Sequence, residues 1–240
     1  MTPPKPLGVD IVPYWRIVSA PFVEEGHYRH LWIEPGPGFG DGRHETTELC
    51  LQAVAALAPR ERPWRMLDFG SGSGILAIAA ARLGAKVDAI EIDPLAASHG
   101  ERNALANAVA DRVDHARTLG ETRGAFDFIV ANILRSVILD FADALTSRLA
   151  KQATLVLSGL VSTDVPEVSA RYASQLGTQR PEVYERGDWR ALVWRNLGDV
   201  GAPEVQSCAA SSATLGRTTH SVGSKRDRAE KPDNGQGEHG

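Results

Sequence analysis

The 240-residue sequence predicts an α/β fold: a mostly parallel sheet with helices on both faces, closed by an antiparallel hairpin. Three observations carry that reading. Short apolar runs alternate with helical patterns from Trp64 to Leu176, and strands that alternate with helices pair in parallel. A glycine-rich turn, Gly70-Ser-Gly72-Ser-Gly74, joins the first of these strands to its helix. Near the end, two strand-like runs flank Arg186-Gly187-Asp188, a hairpin signal.

Taken in order, the elements follow from local chemistry. Pro3, Pro4, Pro6, Pro13, Pro21 and Pro35 exclude a long helix at the start. Tyr14, Trp15, Phe22, Tyr28 and Trp32 still give that stretch apolar surface to bury. Residues 1–33 are therefore read as a proline-rich arm or short hairpin, and 34–197 as the domain. Trp64 to Phe69 is the first strand, Ile75 to Leu83 its helix, and Lys86 to Glu91 the second strand. Asp93 then serves as N-cap with Pro94 at the first helical position. Val113 to Arg117 and Phe126 to Ala131 are the third and fourth strands. Ile138, Phe141, Ala142, Leu145 and Leu149 recur at helical spacing and predict one helix. Leu155 to Ser158 is the fifth strand, followed by a helix through Leu176. Glu182 to Glu185 and Trp189 to Trp194 make the hairpin, which Trp189 and Trp194 are expected to pack, with an aromatic substrate wall as the alternative. Cys50, Ala53, Val54 and Leu57 form the apolar stripe of an earlier helix, so Cys50 reads as core. Beyond Trp194 there is no aromatic, Ile or Met, and residues 198–240 are read as a disordered polar tail.

Composition narrows the function classes. Hydrophobic residues at 42% and charged residues at 23% suit a soluble globular chain. A net charge of −4 leaves no broad basic face for nucleic-acid phosphates. No apolar run approaches the roughly 20 residues of a membrane span, and no secretion signal opens the chain. Two cysteines make neither a disulfide framework nor a Cys-rich zinc site. His44, Glu45 and Glu48 do not make a zinc-protease helix either, because the second His would have to stand at 48. A cytoplasmic protein without a metal is expected.

In a sheet of this kind ligands lie beyond the carboxyl ends of the strands, where the strand order reverses. Asp68 ends the first strand and Glu91 the second. Gly70, Gly72 and Gly74 let backbone approach a ligand, and the helix after them offers unpaired N–H groups. Two cofactors use such a loop. Gly72-Ser-Gly74-Ile-Leu-Ala77 fits the string of a dinucleotide site. S-adenosylmethionine carries no phosphate, and its cationic sulfonium and methionine end favour a carboxylate at the strand end, where Asp68 stands. Glu91 can accept hydrogen bonds from ribose hydroxyls of either cofactor. Asp68 and the closing hairpin favour the methyl donor. Asn132, ending the fourth strand, is placed to orient an amine or to contact the cofactor. His44 is read as a hydrogen-bonding or proton-relaying group, or as a structural residue of its loop. Asp41 and Glu45 flank that loop and would attract a cationic acceptor.

The motifs also resemble a known family. Asp68-Phe-Gly-Ser-Gly-Ser-Gly-Ile-Leu-Ala-Ile-Ala-Ala is similar to the first motif of the PrmA-type ribosomal-protein methyltransferases. Glu34-Pro-Gly-Pro-Gly-Phe-Gly-Asp-Gly-Arg-His-Glu-Thr-Thr resembles that family's signature, an acid with Pro-Gly and then Phe-Gly-Thr-Gly-x-His-Pro-Thr-Thr. Val130-Ala-Asn-Ile-Leu, Ser158-Gly-Leu and Gly187-Asp-Trp-Arg-Ala-Leu-Val follow in the family's order. The resemblance covers residues 28 to 195. It implies a Rossmann-like class I methyltransferase sheet of seven strands, S-adenosylmethionine as cofactor, and methyl transfer to an amine of a protein, ribosomal in the family. N- or O-methylation of a small molecule is the alternative, and cofactor binding without transfer is another. The family's cofactor contacts fall on Thr47, Gly70, Glu91 and Asn132, with Gly72 and Gly74 in the same loop. Asp41 stands where the family has Thr, Glu45 where it has Pro, and Ser71 where it has Cys. The family's N-terminal recognition domain is expected to be lacking ahead of the signature.

Overall fold

The computed structural model describes residues 8–11, 15–18, 29–177 and 180–197. The expected tail, 198–240, lies outside these residues. Where the arm is described it is extended: β1 (Gly8–Ile11), β2 (Trp15–Val18) and β3 (Arg29–Trp32) form a small sheet. β1 and β2 run antiparallel, whereas β3 lies parallel to β2 with Ile17 opposite Leu31. Trp15 and Ile17 are two residues apart and share a face. With Leu31 they are buried in the same core as the helix that follows, α1 (Glu45–Leu57).

The main sheet has seven strands. They are β4 (Trp64–Phe69), β5 (Ala85–Ile90), β6 (Val113–Ala116), β7 (Phe126–Asn132), β8 (Leu149–Val161), β9 (Glu182–Arg186) and β10 (Trp189–Leu197). Their spatial order is β6-β5-β4-β7-β8-β10-β9. The first five are parallel, and β10 is antiparallel to both β8 and β9. The chain winds outward from β4 to one edge, then restarts beside β4 with β7. The order therefore reverses between β4 and β7, where a crevice is expected.

Helices cover both faces. α1 and α2 (Ile75–Arg82) share one apolar core with parts of the sheet. α4 (Arg135–Asp140), α5 (Ala142–Thr146) and α6 (Val165–Leu176) belong to the other, while α3 (Pro94–Ala106) begins just past β5. Met66, Phe128, Val130 and Val156 face the first core; Leu67, Ile129, Leu155 and Leu157 face the second. Central strands are thus apolar on both faces, and each fully buried Leu, Ile or Val contributes about 1.5–3 kcal/mol.

Two expectations are corrected. The helix predicted through Leu149 is broken at Phe141, and Leu149 instead opens β8, opposite Phe126 of β7. Arg148 caps the turn by donating to the Ala144 carbonyl at 3.0 Å, which ends the helix. β8 is also much longer than the four residues Leu155 to Ser158 that announced it, because polar residues such as Lys151 and Gln152 continue the strand in the open. The hairpin stands as expected, with Gly187 at φ +54 in its tight turn. Trp194 is buried and stacks on Tyr172 at 5.6 Å, but Trp189 takes a different place, described below.

Candidate active site

β4 delivers the chain into the glycine loop, where Gly70, Gly72 and Gly74 adopt φ of +85, +53 and +79. These values lie in the left-handed region that side chains disfavour. Gly70 N and Ser71 N both donate to the Ile90 carbonyl at 2.9 Å, hooking the loop to the end of β5. Residues 33–44 cross above it as a second glycine-rich segment, here called the strap. A Cβ on Gly72 would lie 2.4 Å from the Phe39 carbonyl oxygen, so the two segments meet backbone to backbone. Ser73 fastens them, donating from its amide to Phe39 O at 2.8 Å and from Oγ to Gly40 O at 2.6 Å.

The two strand-end carboxylates have different surroundings. Asp68 is fully buried beneath the loop. Its Oδ2 accepts from the Ala77 amide at 3.0 Å and so satisfies the first turn of α2, whose N-cap Gly74 has no side chain to do so. Oδ1 has no protein partner. Burial pushes the Asp68 carboxyl up to about 7, against the lowering effect of Ala77 N–H, and nearby Glu91 adds to the rise. Glu91 is half-buried at the cavity wall. Its Oε2 accepts from Gly72 N at 2.9 Å and its Oε1 from Asp93 N at 3.0 Å. It thereby ties the glycine loop to the start of α3. Asp93 caps that helix as expected, accepting from Leu95 N at 2.8 Å.

Between these elements lies a cavity of about 560 Å³, within the range of small-molecule sites. Gly70, Gly72 and Glu91 line one side, with Ile92 beside them; Asn132, Leu134 and Gly159 line the next. The third wall is aromatic. His44 sits between Phe39 and Trp189, with ring centroids 5.2 and 4.8 Å away and both contacts edge-on. Trp189, for which hairpin packing is the first expectation and an aromatic substrate wall the alternative, thus forms part of the cavity wall. The turn that carries Trp189 is held to α1 by Arg186 Nε, 2.5 Å from the Glu48 carboxylate. Burial raises the Glu48 carboxyl above the usual range, although Arg186 draws it down.

His44 is also the N-cap of α1, with Nδ1 accepting from Thr46 N at 3.3 Å and 2.8 Å from Thr46 Oγ1. A ring held through Nδ1 as acceptor carries its hydrogen on Nε2. Such a ring presents a donor. Asn132 donates from Nδ2 to Thr47 Oγ1 at 3.5 Å, which leaves its carbonyl oxygen as the acceptor on offer.

The fold therefore brings His44, Gly70, Gly72, Glu91 and Asn132 to one cavity. Thr47 lies buried behind Asn132, while the neighbouring Thr46 lines the space. Asp68 and Gly74 support the loop from beneath and are not part of the wall. Asp41 is exposed and paired with Arg43 at 3.8 Å, and Glu45 lies on α1; neither lines the cavity. Sequence reasoning missed Phe39 as a wall residue and gave the wall only as the second reading of Trp189. It also missed three polar residues, His99 and Asn103 of α3 and its C-cap Asn107, that hold the segment above the loop. The latter carry a signal that could be read: His99, Asn103 and Asn107 recur every four residues on one helix.

The chain is similar to known proteins in sequence and fold. The family described as "Ribosomal protein L11 methyltransferase (PrmA)" matches residues 5–196. The ribosomal protein L11 methyltransferase of Trichlorobacter lovleyi is 39% identical over 203 residues, which are 80% of this chain and 65% of that one. Its counterpart from Pelobacter propionicus is 39% identical over 200 residues, again 80% of this chain and 63% of the relative. The chain thus spans less than two thirds of the length of these curated relatives. Among solved structures, a ribosomal protein L11 methylase from Lactobacillus delbrueckii subsp. bulgaricus matches with a TM-score of 0.70 and 30% identity, over 79% of this chain and 98% of that one. On the match to most of its length, this chain belongs to the PrmA family of ribosomal protein L11 methyltransferases.

Proposed function

We propose that this chain is an S-adenosylmethionine-dependent N-methyltransferase whose acceptor is an amine of a protein, a ribosomal protein as in its relatives' names. One observation carries the reading: the glycine loop at Gly70 and Gly72, Glu91 and Asn132, from the ends of three different strands, line a single cavity at the strand-order reversal. The residues present fit the cofactor. Glu91 has lone pairs beyond those its two amide partners use, and these suit ribose hydroxyls. The glycines leave room at the loop, and the orphaned Oδ1 of buried Asp68 supplies negative potential below it. When bound, S-adenosylmethionine supplies a methyl group made electrophilic by its sulfonium.

The chain's own residues then position the acceptor. Asn132 offers its carbonyl oxygen to an amine N–H and so aims the nitrogen lone pair. His44, held by Thr46, offers Nε2–H and a fixed ring face rather than a vacant base. Phe39 and Trp189, on either side of it, favour an amine with its alkyl stem over water. Catalysis of this kind rests on positioning and on excluding water from the cavity. A cytoplasmic setting accords with such an acceptor.

The test is methyl transfer with a labelled donor. Purified chain, isolated ribosomal protein L11 and tritiated S-adenosylmethionine should place label on protein amines. Label on small amines alone would replace the protein acceptor. A folded chain that binds neither S-adenosylmethionine nor S-adenosylhomocysteine would end the reading.

A further inference from the structure

Past Trp32 the strap leaves the small sheet, and its backbone groups must find other partners. One face of α3 supplies them. His99 and Asn103, with the C-cap residue Asn107, stack in a column along the helix, and all three are buried. Asn107 accepts from Trp32 N at 3.0 Å and donates to Trp32 O at 2.6 Å. Asn103 Oδ1 accepts from Glu34 N at 3.0 Å. His99 Nε2 donates to Glu34 O at 2.7 Å, and its Nδ1 accepts from Gly38 N at 3.2 Å. The column stands in for the edge of a neighbouring strand. It also explains the strap's small residues, since a Cβ at Gly36 or Gly38 would come within 2.5 or 2.8 Å of the His99 ring.

Asn103 does more than its neighbours. While Oδ1 holds the strap at Glu34, Nδ2 donates to Ser73 O in the glycine loop at 2.9 Å. Ser73 in turn holds the strap at Phe39 and Gly40. Strap and loop are thus linked at two places, and Asn103 is the side chain that bridges them from α3. Gly72 and Phe39, which flank this junction, face the cavity.

We propose that Asn103 is a positioning residue for methyl-donor binding: through Glu34 and Ser73 it sets the spacing of strap and glycine loop, and with it the cavity wall at Phe39 and Gly72. The inference rests on the methyl-donor reading above. Asn103 itself does not line the cavity.

Calorimetric titration with S-adenosylhomocysteine, run beside thermal melts, tests it. Asn103→Ala leaves the buried Ser73 carbonyl without its donor and should weaken binding about tenfold or more. Asn103→Asp keeps an acceptor for Glu34 N–H but sets a carboxylate against Ser73 O, and should bind as weakly. Asn107→Ala removes a contact that does not reach the loop. That contact is to Trp32 at the end of β3, just ahead of the strap, so the variant should lower Tm comparably while leaving Kd within about twofold. Asn103→Ser, a milder change that keeps a polar group too short to span from Glu34 to Ser73, should weaken binding about threefold or more and decides the matter if the other Asn103 variants do not fold. Asn103 variants that bind within about twofold of wild type would overturn the proposal. So would an Asn107 variant that loses as much affinity as Asn103→Ala. Wild-type protein that fails to bind at all is a separate result, and it strikes the methyl-donor reading itself.

Discussion

The ends of β4 and β5 carry one carboxylate each, and their fates diverge. Asp68 turns under the glycine loop, is fully buried, and satisfies the amide of Ala77 in α2. Glu91 turns into the cavity and accepts from Gly72 and Asp93. The glycine loop passes between them. A strand-end acid beneath such a loop shapes the loop and its potential; an acid beside it can meet a ligand. Position in sequence alone does not separate the two roles.

The strongest break in this arrangement is Gly72→Val. Its φ is +53, and a Cβ there would lie 2.4 Å from Phe39 O, so strap and loop cannot both keep their places. Binding of S-adenosylhomocysteine should fall by more than about 100-fold, while far-UV circular dichroism keeps the α/β signature. Retained binding would show that the two segments part easily.

Glu91→Ala comes next. It removes the acceptor proposed for ribose hydroxyls and also unties Gly72 from Asp93. The expected loss is about 2 kcal/mol or roughly 30-fold in Kd by titration calorimetry. Asn132→Ala should lower turnover about tenfold with a small change in Tm, because its amide makes only the long contact to Thr47. A fall in Tm as large as that in rate would make the residue structural.

The subtlest effect belongs to Asp68. Its carboxyl titrates at about 7 in the folded chain because burial disfavours the charge. Between about pH 4 and pH 7 the folded state therefore keeps a proton that the unfolded chain has released. Stability from this group is fully present below that window and is lost as pH rises through it. Asp68→Asn keeps an acceptor for Ala77 N–H and removes the titration. The fall in Tm from acid to neutral pH should be shallower in the variant, and parallel profiles would contradict the assignment.

Much of the molecule was legible because its signals are local. The strand, glycine turn and helix around Gly70–Gly74, and the Asp93-Pro94 cap, declare themselves within a few residues. Glu91 and Asn132 could be placed because parallel strands bring their carboxyl ends to one edge. What stayed hidden depends on long-range contact. Phe39 and Trp189 meet at His44 although most of the chain separates them. The break at Phe141 was not readable either, since its apolar spacing is that of a continuous helix; the pull of Leu149 into the sheet decides it. The four-residue spacing of Asn103 and Asn107 is visible in the sequence, but their partners are backbone groups of a distant segment and are not.

The most direct measurement is parallel calorimetric titration of the purified chain with S-adenosylmethionine, S-adenosylhomocysteine and NAD. Micromolar binding of the first two, with none of the third, is the expected result. A folded chain that gives no heat with the sulfonium pair, or that binds NAD instead, would contradict the reading of the cavity as a methyl-donor site.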